Sequence, residues 1–230
     1  MLTRRAALAL LGTTGAALLS ASASRLFAAE PAGGCVVTPE QTEGPYFVDE
    51  RLNRADIRSD PADGSVKDGA PLTLKLVIAG IAGGRCAPLV GAVVDIWHCD
   101  VAGAYSETRD RQFDTRGRKF LRGYQVTDAN GGVQFTTIYP GWYEGRAVHI
   151  HFKVRGTTAQ KRGYELTSQF YFDDAFSDRV FSRNPYVNRG RRAVRNERDG
   201  LFRDGGNRLI MPVSETGAAY AGNFNIGIAL

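Results

Sequence analysis

From residue 72 to the end of the chain, apolar and polar side chains alternate over short runs, the two-residue period of strands that turn one face to a core and the other outward. Leu72-Thr73-Leu74-Lys75-Leu76-Val77-Ile78 is the clearest run. Residues 93–97 follow a Gly- and Pro-rich break. Residues 124–127 and 133–136 flank Asp128-Ala129-Asn130-Gly131-Gly132, a turn sequence that predicts a hairpin between them. Runs at 148–154, 166–172, 208–213 and 220–228 bring the total to about eight strands, and only 174–183 has a helical pattern. Short strands at this spacing predict an all-β chain, a sandwich or barrel. We expect a β-sandwich of antiparallel or mixed sheets with an extended N-terminal arm and long loops.

The first seventy residues break the pattern in two ways. Residues 31–70 are rich in Pro, Gly, Asp and Arg with little periodicity, and read as an arm lying over a core supplied by residues 71–230. Residues 1–30 run from Thr3-Arg4-Arg5 through about 14 weakly apolar residues, interrupted by Gly12 and Gly15, to the Ala-x-Ala site Ala21-Ser22-Ala23. A twin arginine before a mildly hydrophobic stretch is similar to a Tat signal peptide and predicts export, so the expected location is periplasmic or secreted. The stretch falls short of the roughly 20 residues that cross a bilayer, and no stable membrane span is expected in the mature form. A lipidation reading of Ala32-Gly33-Gly34-Cys35 lacks the usual aliphatic residue three positions before the cysteine. Export would place Cys35, Cys86 and Cys99 in an oxidising compartment, where one disulfide and one odd thiol is the simplest arithmetic. Three pairings are open, and Cys86 with Cys99, which bracket a predicted strand, is preferred.

Net charge is +5. Loss of Arg4 and Arg5 with a leader leaves +3, because Arg25 and Glu30 cancel. So mild an excess implies no polyanionic partner. The eight arginines between Arg183 and Arg208 are interleaved with Asn, Gly and Asp and with few aromatics. They read as a solvated surface loop, and no nucleic-acid partner is expected. No coiled-coil seam marks an interface, and a homo-oligomer stays open.

Two of the three histidines form His149-Ile150-His151 on a predicted strand. Residues two apart on a strand share a face, so both imidazoles can reach one metal; a hydrogen-bonded pair on a sheet surface is the equal alternative. Around them stand Tyr139-Pro140-Gly141-Trp142-Tyr143-Glu144-Gly145-Arg146, and upstream Asp95-Ile96-Trp97-His98 leads to Gly103-Ala104-Tyr105-Ser106.

Together these segments resemble the intradiol ring-cleavage dioxygenases, which include catechol 1,2-dioxygenases and protocatechuate 3,4-dioxygenases. The resemblance runs from Thr38-Pro39-Glu40-Gln41-Thr42-Glu43-Gly44-Pro45-Tyr46-Phe47 through Trp97-His98, Gly103-x-Tyr105-Ser106, Pro140-Gly141-x-Tyr143 and Arg146-x-x-His149-x-His151-Phe152 to Gln169-x-Tyr171-Phe172. It implies that Tyr105, Tyr143, His149 and His151 hold one mononuclear non-haem Fe(3+) ion. Tyr143 is selected over Tyr139 by its place after Pro140, and is the ligand that leaves when substrate binds. The resemblance further implies that Arg146 stabilises negative charge on the substrate ring and that Gln169 is a polar neighbour of the metal. The implied reaction cleaves a catechol-type ring between its two hydroxylated carbons with O2, giving a cis,cis-muconic acid. Phenolate oxygen is a hard donor suited to ferric iron, whereas zinc more usually recruits Cys or a third His.

Other readings are a cupin, a zinc hydrolase using His98 as third ligand, and a non-catalytic exported binding module. A cupin places a glutamate four or five residues after the second histidine, where this chain has Arg155 and Gly156. The zinc site would leave both tyrosines unexplained. His98 is expected to be a buried, hydrogen-bonded residue.

Overall fold

The computed structural model describes residues 36–230; the expected signal peptide and Cys35 lie outside the described residues. Among those described are nine strands and one α-helix: β1 (Pro71–Ala82), β2 (Arg85–Pro88), β3 (Val93–Trp97), β4 (Arg122–Val126), β5 (Gly132–Ile138), β6 (His149–Thr157), β7 (Gly163–Tyr171), α1 (Asp174–Phe181), β8 (Val213–Thr216) and β9 (Ala219–Ala229). One sheet runs β2-β1-β9-β8, with β5 also paired to β1, and the other runs β4-β3-β6-β7. Every ladder is antiparallel except β1 with β9, so the all-β sandwich is of mixed type.

Alternation explains how the sheets face each other. In β1, Leu72, Leu74, Leu76 and Ile78 are buried, and they join Val94 and Ile96 of β3, Ile150, Phe152 and Val154 of β6 and Phe170 of β7 in one core. β6 is buried on both faces from His149 to Val154. Its even-numbered residues enter the core, so His149, His151 and Lys153 lie on the opposite face. Residues 38–47 of the arm run along the β7 edge, where Gln41 N–H donates to the Thr167 carbonyl at 2.9 Å and the Ser168 hydroxyl to the Pro39 carbonyl at 2.7 Å, and reach over that face, where the Gln169 amide donates to the Thr42 carbonyl and Glu43 pairs with Lys153.

Three expectations are corrected. Residues 124–127 and 133–136 do not form a hairpin, because β4 pairs with β3 in one sheet and β5 with β1 in the other. The Asp128 carboxylate accepts from the Asn130 and Gly132 N–H groups, both at 2.8 Å, and shapes a crossing between the sheets. Burial of Phe135 against β1 decides the outcome over the turn sequence. The expected strand over 208–213 is a 3-10 turn (Gly206–Leu209) followed by β8 from Val213. Met211 N–H bridges to the Tyr171 carbonyl, and Pro212, lacking an N–H, ends that pairing. Finally, Cys86 is disulfide-bonded while Cys99 is a free, buried thiol, which excludes the Cys86–Cys99 pairing. Cys99 instead packs with Trp97 and Tyr105.

Candidate functional site

Strand register assembles the floor of the site. On the outer face of the four-stranded sheet, Trp97 of β3 lies opposite His151 of β6, which lies opposite Gln169 of β7; His149 lies opposite Tyr171. The Trp97 indole stacks on the His151 imidazole with ring centroids 4.9 Å apart and planes within 5°. This fixes one imidazole by packing. The other is fixed by a hydrogen bond: His149 Nδ1 lies 2.7 Å from the Ala147 carbonyl, which can only accept, so Nδ1 carries the proton and Nε2 presents its lone pair.

Both tyrosines come from loops, and two glycines let those loops touch. Gly103 has φ +89°, and a Cβ there would lie 2.6 Å from the Trp142 carbonyl oxygen; a Cβ on Gly141 would lie 2.4 Å from the Asp100 oxygen and 2.5 Å from that of Val101. This contact brings Tyr105 and Tyr143 to a ring separation of 5.6 Å. Tyr46 of the arm stacks on Tyr105 at 4.3 Å and closes the cluster from above.

Four donor atoms converge here. His149 Nε2 lies 3.1 Å from the Tyr105 hydroxyl, 3.3 Å from the Tyr143 hydroxyl and 3.1 Å from His151 Nε2. An unprotonated ring nitrogen has one lone pair, yet three polar atoms crowd it. Such separations are those between neighbouring ligands bonded at about 2.1 Å to one ion. Burial first, and then the positive charge of Arg146, push the His149 imidazole down to about 3. Burial and the neighbouring His149 hold His151 well below the usual histidine range. Both rings are thus neutral lone-pair donors. Burial raises the Tyr105 and Tyr143 phenols, so a cation is what would ionise them. No group of three or more His, Cys, Asp or Glu side chains among the described residues could hold a metal. A metal at this site therefore has to recruit the tyrosines, and a donor set of two phenols and two imidazoles fits hard Fe(3+).

Arg146 stands beside the donors, partly buried. Its Nε donates to Asp199 Oδ2 at 2.9 Å, and its Nη2 donates to Gln169 Oε1 and lies 3.4 Å from the Tyr171 hydroxyl. Gln169 is fully buried, and its amide nitrogen donates to the Thr42 carbonyl at 3.2 Å. The Tyr171 hydroxyl donates to Gln41 Oε1 at 3.0 Å. Sheet, arm and the 199–204 loop thus share one hydrogen-bond network.

The remaining candidates sit elsewhere. His98 is buried with Nδ1 2.8 Å from the Cys99 carbonyl and Nε2 2.7 Å from the Thr137 hydroxyl, which uses both ring nitrogens and removes it as a third ligand. Tyr139 lies in the main core with its hydroxyl 2.8 Å from that of Ser177. Sequence reasoning missed Tyr171 and Asp199. The position of Tyr171, two residues after Gln169 on one strand, was a usable signal. Asp199 sits in the arginine-rich segment read as a solvated loop; Arg183, Arg191, Arg195, Arg198, Arg203 and Arg208 are exposed as that reading expects, but Asp199 is fully buried, Asn196 nearly so, and the Arg192 side chain is buried against Asp174.

Known proteins match this chain in sequence and in fold. The family model described as "Dioxygenase" matches residues 42–199. A catechol 1,2-dioxygenase 1 from Acinetobacter lwoffii is 31% identical over 195 residues, covering 70% of this chain and 57% of that protein. This chain thus spans about half the length of the curated relatives it matches. An intradiol ring-cleavage dioxygenase from Tetranychus urticae superimposes with a TM-score of 0.72 at 33% identity, over 85% of this chain and 95% of that one. The dioxygenase domain of a dioxygenase carbohydrate-binding fusion from Streptomyces sp. SirexAA-E does so with a TM-score of 0.60 at 32% identity, over 85% and 99%. A match of this extent, across the segment that carries all four converging donors, means that the chain belongs to the intradiol ring-cleavage dioxygenase family.

Proposed function

We propose that this chain is a non-haem Fe(3+) enzyme that opens catechol-type rings with O2, cleaving the bond between the two hydroxylated carbons to give a cis,cis-muconic acid. The convergence of the Tyr105, Tyr143 and His151 donors on His149 Nε2 carries the reading. Bound ferric iron would supply Lewis acidity to both diol oxygens and draw electron density from the ring, making it reactive toward O2. Tyr105, His149 and His151 are buried and would hold the ion throughout. Tyr143 is only partly buried, and we assign it as the more exposed donor, whose phenol oxygen would take up a diol proton when substrate binds. Arg146 offers positive charge to the anionic ring from a site shielded from water, where such charge acts most strongly. Trp97, Tyr46 and Phe47 pack around the ligands and exclude solvent. The reaction balances without an external reductant: one carbon–carbon bond breaks, and both atoms of one O2 end in the two carboxyl groups. The name of the Acinetobacter lwoffii relative supports an ortho-diol substrate. The twin-arginine leader and the disulfide at Cys86 support action outside the cytoplasm.

Metal analysis with visible spectroscopy tests the metal assignment. The expected protein holds one iron per chain and is red-brown from phenolate-to-iron charge transfer. A colourless protein carrying stoichiometric zinc would overturn the assignment.

A further inference from the structure

We infer that Asp199 is a positioning residue that holds the Arg146 guanidinium in the orientation the reaction uses. The inference rests on the ring-cleavage reading above and goes beyond it by assigning a role to the 199–204 loop. Asp199 is fully buried, and both of its carboxylate oxygens are committed. Oδ2 accepts from Arg146 Nε at 2.9 Å and from the Ala147 N–H at 2.8 Å; Oδ1 accepts from the Leu201 N–H at 2.8 Å and the Phe202 N–H at 3.3 Å. Three backbone donors thus lock the carboxylate before it meets the arginine. A carboxylate so fixed gives the guanidinium a defined plane, because Nε and Nη2 lie on one planar fork. Nη2 is held in turn by Gln169 and approached by Tyr171. Among the described residues Nη1 has no such acceptor, and it is the edge of the fork left for substrate.

The physical alternative is a purely structural ion pair that ties the loop to the start of β6. The two differ in what they predict once Arg146 is absent. A structural tie acts through the Ala147 contact whatever residue stands at 146. A positioning residue has nothing left to position.

The test is a double-mutant cycle with Asp199→Asn and Arg146→Ala, reading kcat and KM for catechol per bound metal, anaerobic catechol affinity, metal content and thermal midpoint. Normalising to bound metal separates the result from any effect relayed to His149 through Ala147. Asp199→Asn in the native background is expected to lower kcat/KM roughly 100-fold, the scale of a misplacement by about 1 Å, with metal content retained. In the Arg146→Ala background the same substitution is expected to change kcat/KM less than about threefold. Equal losses in both backgrounds would overturn the assignment. Should Asp199→Asn fail to fold, Arg146→Lys, which keeps the charge but lacks the planar fork, is expected to lose a comparable factor; native turnover in that variant would overturn it as well. Absence of oxygen uptake by the unmodified, metal-loaded protein would overturn the ring-cleavage reading and this proposal together, whereas native turnover with additive losses overturns this proposal alone.

Discussion

Replacing Gly141 by Ala tests whether contact between the two loops sets the ligand geometry. The added Cβ would lie 2.4 Å from the Asp100 carbonyl oxygen and 2.5 Å from that of Val101. A carbon and a carbonyl oxygen in ordinary contact sit about 3.3 Å apart, so the loops must separate by roughly 0.8 Å. Neither obstacle can rotate away, because both are backbone atoms. Asp100 is also tied down: it accepts from the Ala104 N–H at 3.0 Å and pairs with Lys67 at 2.8 Å. Asp100 and Val101 lie just upstream of Tyr105, and Gly141 lies just upstream of Tyr143, so the displacement falls between the two phenol donors. Functional constellations tolerate only about 0.5 Å of error. We expect metal affinity to fall roughly 10- to 100-fold, comparable to loss of a supporting contact at a metal site. Overpacking costs about 1–3 kcal/mol, which lowers the thermal midpoint by roughly 3–9 °C in a chain of this size. The assay is metal retention against a graded chelator, run beside thermal unfolding of the same preparation. Native metal affinity and an unshifted midpoint would refute the reasoning.

Three further outcomes follow from the same structure. Tyr105→Phe and His149→Ala are each expected to remove bound metal and oxygen uptake together; metal analysis and an oxygen electrode check this, and full activity in either variant refutes the ligand assignment. Asp95, on the site face of β3, is raised to about 6 because burial outweighs the Arg155 guanidinium 3.2 Å away; nearby Asp49 and Glu165 push in the same direction, and Lys153 opposes. The folded state then binds this proton more tightly than the unfolded chain, so Asp95's contribution to stability falls as pH rises from about 4 to 6, by at most roughly 3 kcal/mol. Asp95→Asn is therefore expected to gain stability relative to the native protein between pH 4 and pH 7; melts at both pH values in which the difference stays flat or opens the other way reject the burial argument. Leu74→Ala, at a fully buried core position of β1, is expected to cost about 2–5 kcal/mol in denaturant unfolding; a cost near zero would contradict its place between the sheets.

What the sequence disclosed follows the range of each physical signal. Alternation in 72–78 is local, and β1 is found with Leu72, Leu74, Leu76 and Ile78 inward; in 93–97 Val94 and Ile96 turn inward while Trp97 faces the site. His149 and His151 share a face for the same local reason. Which strand pairs with which is a longer-range matter. Asp128 and Gly131 serve a crossing between sheets as well as they would a hairpin, so the turn residues alone mislead. The short β2 was missed because its four residues, with one proline, carry no period. At the site, selection of Tyr143 over Tyr139 came from the family motif; packing then puts the Tyr139 hydroxyl on Ser177, away from the donors. Asp199 was invisible because its burial depends on a loop folding back onto β6, and an acid among arginines looks the same in sequence whether it is solvated or buried.

The central claim is tested most directly by mass analysis of the product that iron-loaded protein forms from catechol under isotopically labelled dioxygen. The account predicts a ring-opened diacid heavier than the substrate by one whole dioxygen molecule, with one labelled atom entering each carboxyl group. A quinone with no added oxygen, a hydroxylated ring carrying a single labelled atom, or unchanged catechol would contradict it.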